Sequence, residues 1–517
     1  MKKIIFTQEW IMMHPYTKPS DVDIYYTNLA NKIYHALDSA CLVHQFHDPQ
    51  DAKQVALCIA AYFEDVISGT HIWKTFTTEC KARYGVYIPF YLEGTAVEKG
   101  FVHEGEGDCP QYDQDEINIS DIKFLLWHHY QQSLIGREIV PALFSTLDVA
   151  AKMAYDVINA EYETAPENTR LHEFLCTMPT SEDDFFVYRN ALEWFHYGCY
   201  FNVNNRKRLI AGMQWLANTG QYNELSAYNM RVEQMMESRT NLLAMTSMEW
   251  LAKINENNPA HKLWTETEYR ARRAYSVERE DEKYIYAKDL YNKESIKISK
   301  ESTEITDFTP FINGEKIFIT NLCRFGSTWW QCGIVQAVDN DKEAQKHIRE
   351  ERDILNHKPT LKDYKMLKDS GYGAQFVFAD TLAEAKEFLV SIGYDRIKDV
   401  KFPSNIDRGV IIFGTPYTGL SLSVNIAHCI CSPDNPYYDA EKAAENCFDI
   451  ICGRGNAFPY EIVCQLIAGN LLPDANMFAS KYIREIGRSI TQENLQFLAD
   501  YYLCGNRDKD ISPVELW

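Results

Sequence analysis

Glu64 and Asp65 stand side by side in an otherwise apolar run, from Val55 to Val66. On a helix, neighbouring side chains project about 100° apart, so at least one of the two carboxylates must turn into protein. Burial raises a carboxyl pKa and equips it for general acid–base work. Structural ion pairing is the plainer reading of the same residues. His128, His129 and His172 are the histidines that would complete a hydrolase-like set with Glu64 and Asp65 in the same half of the chain.

His172-Glu173-Phe174-Leu175-Cys176 sets two metal-ligand types four residues apart on one helix face, with a glutamate beside them. A zinc-peptidase pattern requires histidine at the last position, and no third ligand is identifiable. His428, Cys429 and Cys431 lie near Cys447 and Cys452. On a strand, Cys429 and Cys431 would share a face that His428 does not, so buried thiols are expected rather than a metal or redox site. The carboxylates of residues 103–116 lack the order of a calcium loop and read as a solvated segment. Gly105/Gly107, Gly371/Gly373 and Gly453/Gly455 each begin a phosphate-binding pattern, but Pro110, Phe376 and Phe458 occupy the place of the third glycine. Gly419-Leu-Ser421-Leu-Ser423 lacks the closing glycine of a nucleophile elbow. No metal and no cofactor is expected.

Trp329-Trp330 offers recognition rather than catalysis. Adjacent strand residues point to opposite faces, so one ring enters a core and the other meets solvent, a ligand or another part of the chain. Cover by the helical part of the same chain is the favoured expectation.

These residues need elements to position them. With 517 residues the chain exceeds a single hydrophobic core, and 46% hydrophobic with 24% charged residues is the balance of a globular protein. The net charge of −21 repels a phosphate backbone, which disfavours nucleic acid as a partner. Asn205-Arg206-Lys207-Arg208 is the one short basic run, read as a solvated helix start. Gln8 and Glu9 interrupt any leader-like apolar run, and the longest uncharged stretch, 409–433, is broken by Gly414, Pro416 and Gly419. Neither a secretory leader nor a membrane span is expected. The 14 cysteines include no C-x-x-C pair and are expected to be reduced thiols of a cytoplasmic protein.

Helical periodicity runs through residues 1–262, for example Tyr26, Leu29, Ile33 and Leu37, and the stretch 51–68 that ends at Gly69. Residues 206–217 and 224–256 are expected as two further helical stretches. Residues 263–305 crowd charges of both signs and are expected to form an exposed helix passing into a linker. From 306 the period is two. Asn313-Gly314 predicts a hairpin between Phe311 and Ile317, and Phe325-Gly326-Ser327 predicts a second turn. Residues 306–517 thus open with a β-meander, in a small sheet or barrel, and continue as α+β. The fold class is α+β and multi-domain.

Several patches resemble a family from gut-associated anaerobic bacteria that is known as a domain of unknown function. They include Phe63-Glu64-Asp65-Val66-Ile67-Ser68-Gly69, Asp121-Ile122 with Phe124-Leu125-Leu126-Trp127, Thr320-Asn321-Leu322-Cys323-Arg324-Phe325-Gly326, and Leu472-Pro473-Asp474-Ala475. The resemblance implies a cytosolic bacterial protein and brings no activity or site residue with it. Two expectations follow from the residues themselves. The first is a non-enzymatic binding or interaction protein, with a protein as a possible partner and Trp329, Trp330, Glu64 and Asp65 as candidate binding residues. The second is a hydrolase-like enzyme using acid–base residues of the helical part.

Overall fold

Ser20 starts the first long helix with a reciprocal cap: its side chain accepts the Asp23 amide while the Asp23 carboxylate accepts the Ser20 amide at 2.7 Å. The structure, a computed structural model, describes residues 2–91, 112–134, 138–177, 179–357, 359–370, 376–400, 409–416, 419–454, 458–478 and 483–506. The paired glycines at 105/107 and 371/373, and the carboxylates of 103–111, lie outside the described residues. Two compact units emerge, one drawn from residues 1–92, 107–240 and 245–352, the other from 93–106, 241–244 and 353–517.

The first unit begins with a short helix, α1 (Thr7–Ile11), followed by α2 (Asp21–Ser39), α3 (Pro49–Ser68) and α4 (Ile72–Tyr84). Every residue from Val55 to Asp65 is buried, so α3 is apolar around its circumference and forms the hub of the helical part. Gly69 ends it at φ +61°, where a side chain would be strained. Against α3 pack α2, α4, α5 (Ile119–Ser133) and α6 (Ser145–Asn159), and α7 (Phe185–Tyr197), α8 (Asn205–Asn218), α9 (Glu224–Glu237) and α10 (Ser247–Ile254) complete the helical part. The stretch 224–256 is therefore two helices rather than one. Leu243 and Ala244 take positive φ, and Thr246 caps α10 by accepting the Glu249 amide. Among the described residues no single helix is long and apolar enough to cross a membrane.

Residues 263–305 differ from the expected charged helix and linker. They form β1 (Glu268–Glu280), β2 (Tyr284–Asp289) and β3 (Ser295–Ser299). The charge run Glu278–Lys283 is the exposed end of the β1–β2 hairpin. With β4 (Lys316–Phe325), β5 (Thr328–Gln331) and β6 (Gln336–Asp339) they build one sheet in the order β1-β2-β3-β5-β4-β6. An antiparallel β1–β4 pairing closes five of the strands into a small barrel. The turn at Gly326 is as anticipated, with Phe325 opposite Thr328. The turn at Gly314 differs: Pro310 sits in the first turn of a short helix, Thr309–Ile312, so Phe311 enters the barrel core from a helix.

In the second unit β7 (Val377–Ala379), β8 (Val410–Thr415) and β9 (Gly419–Ser423) form an antiparallel sheet backed by the helix Leu382–Ser391. Strand structure stops at Ser423. His428 and Cys429 lie in a 3₁₀ turn, Ala427–Cys429, where the sequence suggested a strand running on to Cys431. Helices close the chain at Ala440–Ile451, Tyr460–Ala468, Arg484–Glu493 and Leu495–Leu503. The fold is α+β, mostly helical through the N-terminal half, with a small barrel, a three-stranded sheet and further helices beyond it.

Candidate functional site

Glu64 and Asp65 leave α3 in different directions and do different work. Glu64 is 1% exposed and accepts two hydrogen bonds at 2.8 Å, from His14 Nε2 and from Asn168 Nδ2. His14 Nδ1 lies 2.9 Å from the Trp10 carbonyl. Both imidazole nitrogens thus face acceptors, an arrangement that only the doubly protonated ring satisfies fully. Burial pushes the His14 pKa down, but the Glu64 carboxylate, its hydrogen bond and the Trp10 carbonyl together outweigh it and leave the ring above its ordinary value. The pair extends outward. Asn168 Nδ2 also donates to Tyr16 Oη at 2.6 Å, and Tyr16 Oη donates to Asp23 at 3.1 Å. The Arg170 guanidinium lies 3.7 Å from the centre of the Tyr16 ring.

Asp65 acts as a helix cap borrowed from another helix. His71 precedes α4 with φ +62° and makes no side-chain cap. Asp65 accepts the Ile72 and Trp73 amides at 3.0 and 2.7 Å instead, together with Tyr200 Oη at 2.8 Å and the Thr70 hydroxyl. Burial raises its pKa and these four donors counter the rise.

The three histidines that the sequence offered as acid–base partners make their contacts apart from the Glu64 and Asp65 hydrogen bonds. His128 contacts the Phe201 carbonyl through Nε2 at 3.1 Å, and burial lowers its pKa to about 4. His129 is buried with no hydrogen-bond partner on either nitrogen among the described residues, and burial holds its pKa well below the usual range. His172 Nδ1 lies 3.0 Å from the Ser68 carbonyl, while the Cys176 thiol, pushed by burial to about 12, contacts the Thr70 carbonyl. Cys447 approaches the Cys429 carbonyl at 3.9 Å, whereas Cys452 contacts Asp449. No group of three or more metal-ligand side chains converges among the described residues. Asp121, a lone carboxylate with no motif around it in the sequence, is buried against Tyr62 and Tyr112, and burial raises its pKa to about 7.

Both tryptophans are buried, Trp329 at 3% and Trp330 at 2% exposure. Trp329 points into the barrel core and is faced by the Arg270 guanidinium at 4.2 Å. Trp330 points out of the barrel and stacks on Phe185 of α7 at 4.9 Å, with Phe186 edge-on. The helices of the same unit cover the outward ring, so neither indole presents a free face.

Beside the buried pair lies an accessible groove. It encloses about 900 Å³ between the loop after α1, α7 and α8. Met12, Leu209, Ile210 and Met213 form its apolar wall, and Trp194 and Phe174 its inner side. Met12 and Ile210 are 57% and 54% exposed, so this part of the wall is open to solvent. His14 and Tyr16 bring the edge of the polar network to the groove, and Arg206, Arg231 and Glu193 supply its charges. Three helices fix the loop backbone: the Met12 carbonyl accepts from Arg206 of α8 at 2.5 Å, the Met13 carbonyl from Trp194 of α7 at 2.8 Å, and His14 is held by Glu64 of α3. The sequence displayed Arg206 only as part of a basic run. His14, Asn168 and Trp194 carried no local signal, because their partners are 50, 104 and 181 residues away.

Fold and site together define an α+β protein whose helical part is joined to a small barrel and carries a mainly apolar groove over a buried histidine–glutamate pair. The family described as "Protein of unknown function (DUF3843)" matches residues 4–325 and 335–504, and the chain belongs to that family. Neither comparison with curated proteins nor comparison with solved structures returns a match.

Proposed function

We propose that this protein is a non-enzymatic binding protein and that the groove beside α1, α7 and α8 is its ligand site. The observation that carries the reading is the groove itself. Its volume lies within the roughly 300–1,000 Å³ of small-molecule sites, and its lining is mainly apolar with a few fixed polar groups. The chemistry of the lining supports binding over turnover. No serine or cysteine is among the described residues that line it. Its histidine has both nitrogens engaged, so His14 cannot take a proton from a substrate without first breaking a buried ion pair. A hydrolase-like reading would have to draw on the same pair. The bacterial cytosol is the setting we propose, on the family resemblance of the sequence and the reduced thiols expected there.

The test is binding of the environment-sensitive dye 1-anilinonaphthalene-8-sulfonate to the folded protein. One dye per chain is expected, with loss on filling the groove by Leu209→Trp. Dye binding that Leu209→Trp leaves intact overturns the assignment of the groove. Hydrolysis of a generic ester or peptide substrate that Glu64→Gln abolishes would overturn the non-enzymatic reading.

A further inference from the structure

We infer that the groove takes a small amphipathic monocarboxylate, its carboxylate on Arg206 and its apolar chain along Met12, Leu209, Ile210 and Met213. The inference rests on the groove being a ligand site and adds the chemical class of the ligand.

Charge accounting around the groove leads to it. Arg231 forms an ion pair with Glu193, so these two groove charges compensate each other. The His14–Glu64 pair is likewise balanced. Arg206 is different. Its contact is the neutral Met12 carbonyl, and no carboxylate pairs with it among the described residues. The side chain is half-buried, and both desolvation and the nearby Arg231 charge disfavour its cation and lower its pKa. The first turn of α8 adds no acidic residue to offset it. One uncompensated positive charge therefore faces an apolar wall.

A ligand that relieves both defects carries one negative charge and an aliphatic body. A guanidinium that spends one donor on a carbonyl still has donors arranged for a planar carboxylate. The exposed Met12 and Ile210 side chains gain from an aliphatic chain laid across them. The chain as a whole carries −21, so a polyanion would be repelled, whereas a single carboxylate contacts only the local charge.

The experiment compares decanoate with decanol, matched in chain length, by displacement of the groove-bound dye and by calorimetry. Decanoate is expected to bind one per chain, about tenfold or more tighter than decanol, as befits a charge-assisted hydrogen bond. Arg206→Gln should remove that preference, with decanoate losing about tenfold or more relative to decanol, while Arg206→Lys should restore part of it. Equal affinity of the two probes overturns the carboxylate assignment and leaves the groove as a ligand site. A preference that survives in Arg206→Gln also overturns it. If neither probe binds and the dye does not bind either, the ligand-site reading falls with it.

Discussion

Truncating Glu64 to alanine gives the most direct check on the buried pair. The carboxylate is 1% exposed and receives two hydrogen bonds, one of them from a ring whose other nitrogen is bound to a backbone carbonyl. Its removal strands His14 Nε2 with no acceptor and leaves Asn168 Nδ2 with only Tyr16. Breaking one partner of such a pair costs about 3–5 kcal/mol. Glu64→Gln keeps the shape and part of the bonding, and should cost about 1–3 kcal/mol. The pH response carries a second signature. The folded pKa of His14 is raised, so its contribution is complete below about pH 6.5 and is lost as pH rises through the folded value. Without the carboxylate, burial dominates, the folded pKa falls below the unfolded one, and the contribution is lost on acidification instead. Every tryptophan except Trp517 lies in the first unit, so tryptophan fluorescence during urea unfolding follows the unit that contains Glu64. Measured at pH 6 and pH 8, the stability difference between the wild type and Glu64→Gln should be larger at pH 6. A cost below about 1 kcal/mol for Glu64→Ala, set against the expected 3–5, would refute the reasoning. So would a difference that does not change with pH.

Two other expectations concern the stability of the same unit. His128 and His196 are held neutral by burial, with pKa values of about 4 and about 3, so their contribution is complete above about pH 6.5 and is lost progressively as pH falls from there to those values. At pH 5 each should cost about 2 kcal/mol relative to neutral pH, and replacing His196 by asparagine should remove its share; an unchanged acid loss in that variant counts against the assignment. Trp330→Ala removes a ring stacked between barrel and helices and should cost about 3–5 kcal/mol, read as a lowered thermal midpoint, whereas a cost near that of a surface residue would show that the stack adds nothing.

What the sequence displayed and what it hid have separate physical causes. Helices α2 and α3 were legible because Leu29, Ile33 and Leu37, and the run from Val55, repeat at a period that burial enforces, and because Gly69 marks the end of α3. Strand β1 was hidden by its charges. Arg270 is buried in a strand, where ion pairs to Glu268, Asp289 and Glu294 make its burial tolerable. A register shift between Arg270 and Arg273 then breaks the alternation that would have revealed the strand. Phe311 misled for a related reason: an apolar residue before Asn-Gly signals a hairpin only if its backbone is extended, and Pro310 sets a helical turn. Of the candidate site, Glu64 was legible as a carboxylate in an apolar helix. The groove was not, since it exists only where the loop after α1 meets α7 and α8.

The buried polar groups and the groove belong to one arrangement. A helix of five residues such as α1 has no stability of its own. Here it and the following loop are tied down by side chains from neighbouring helices. Asn31 of α2 accepts the Ile4 and Ile5 amides and donates to the Ile5 carbonyl, the Trp10 indole donates to Asp23, and Glu64 holds His14. The residue that this framework presents is Met12, whose side chain forms part of the groove wall and whose carbonyl holds Arg206. A wall fixed in advance loses little conformational entropy when a ligand lands on it. The two kinds of substitution should therefore separate. Loss of Glu64 loosens the wall, so stability and affinity fall together, whereas Arg206→Gln gives up one exposed tether to the Met12 carbonyl, keeps the buried Glu64 and Trp194 contacts, and lowers carboxylate affinity with a much smaller loss of stability. A purely structural pair beneath an idle groove would give the first loss of stability with no change in binding.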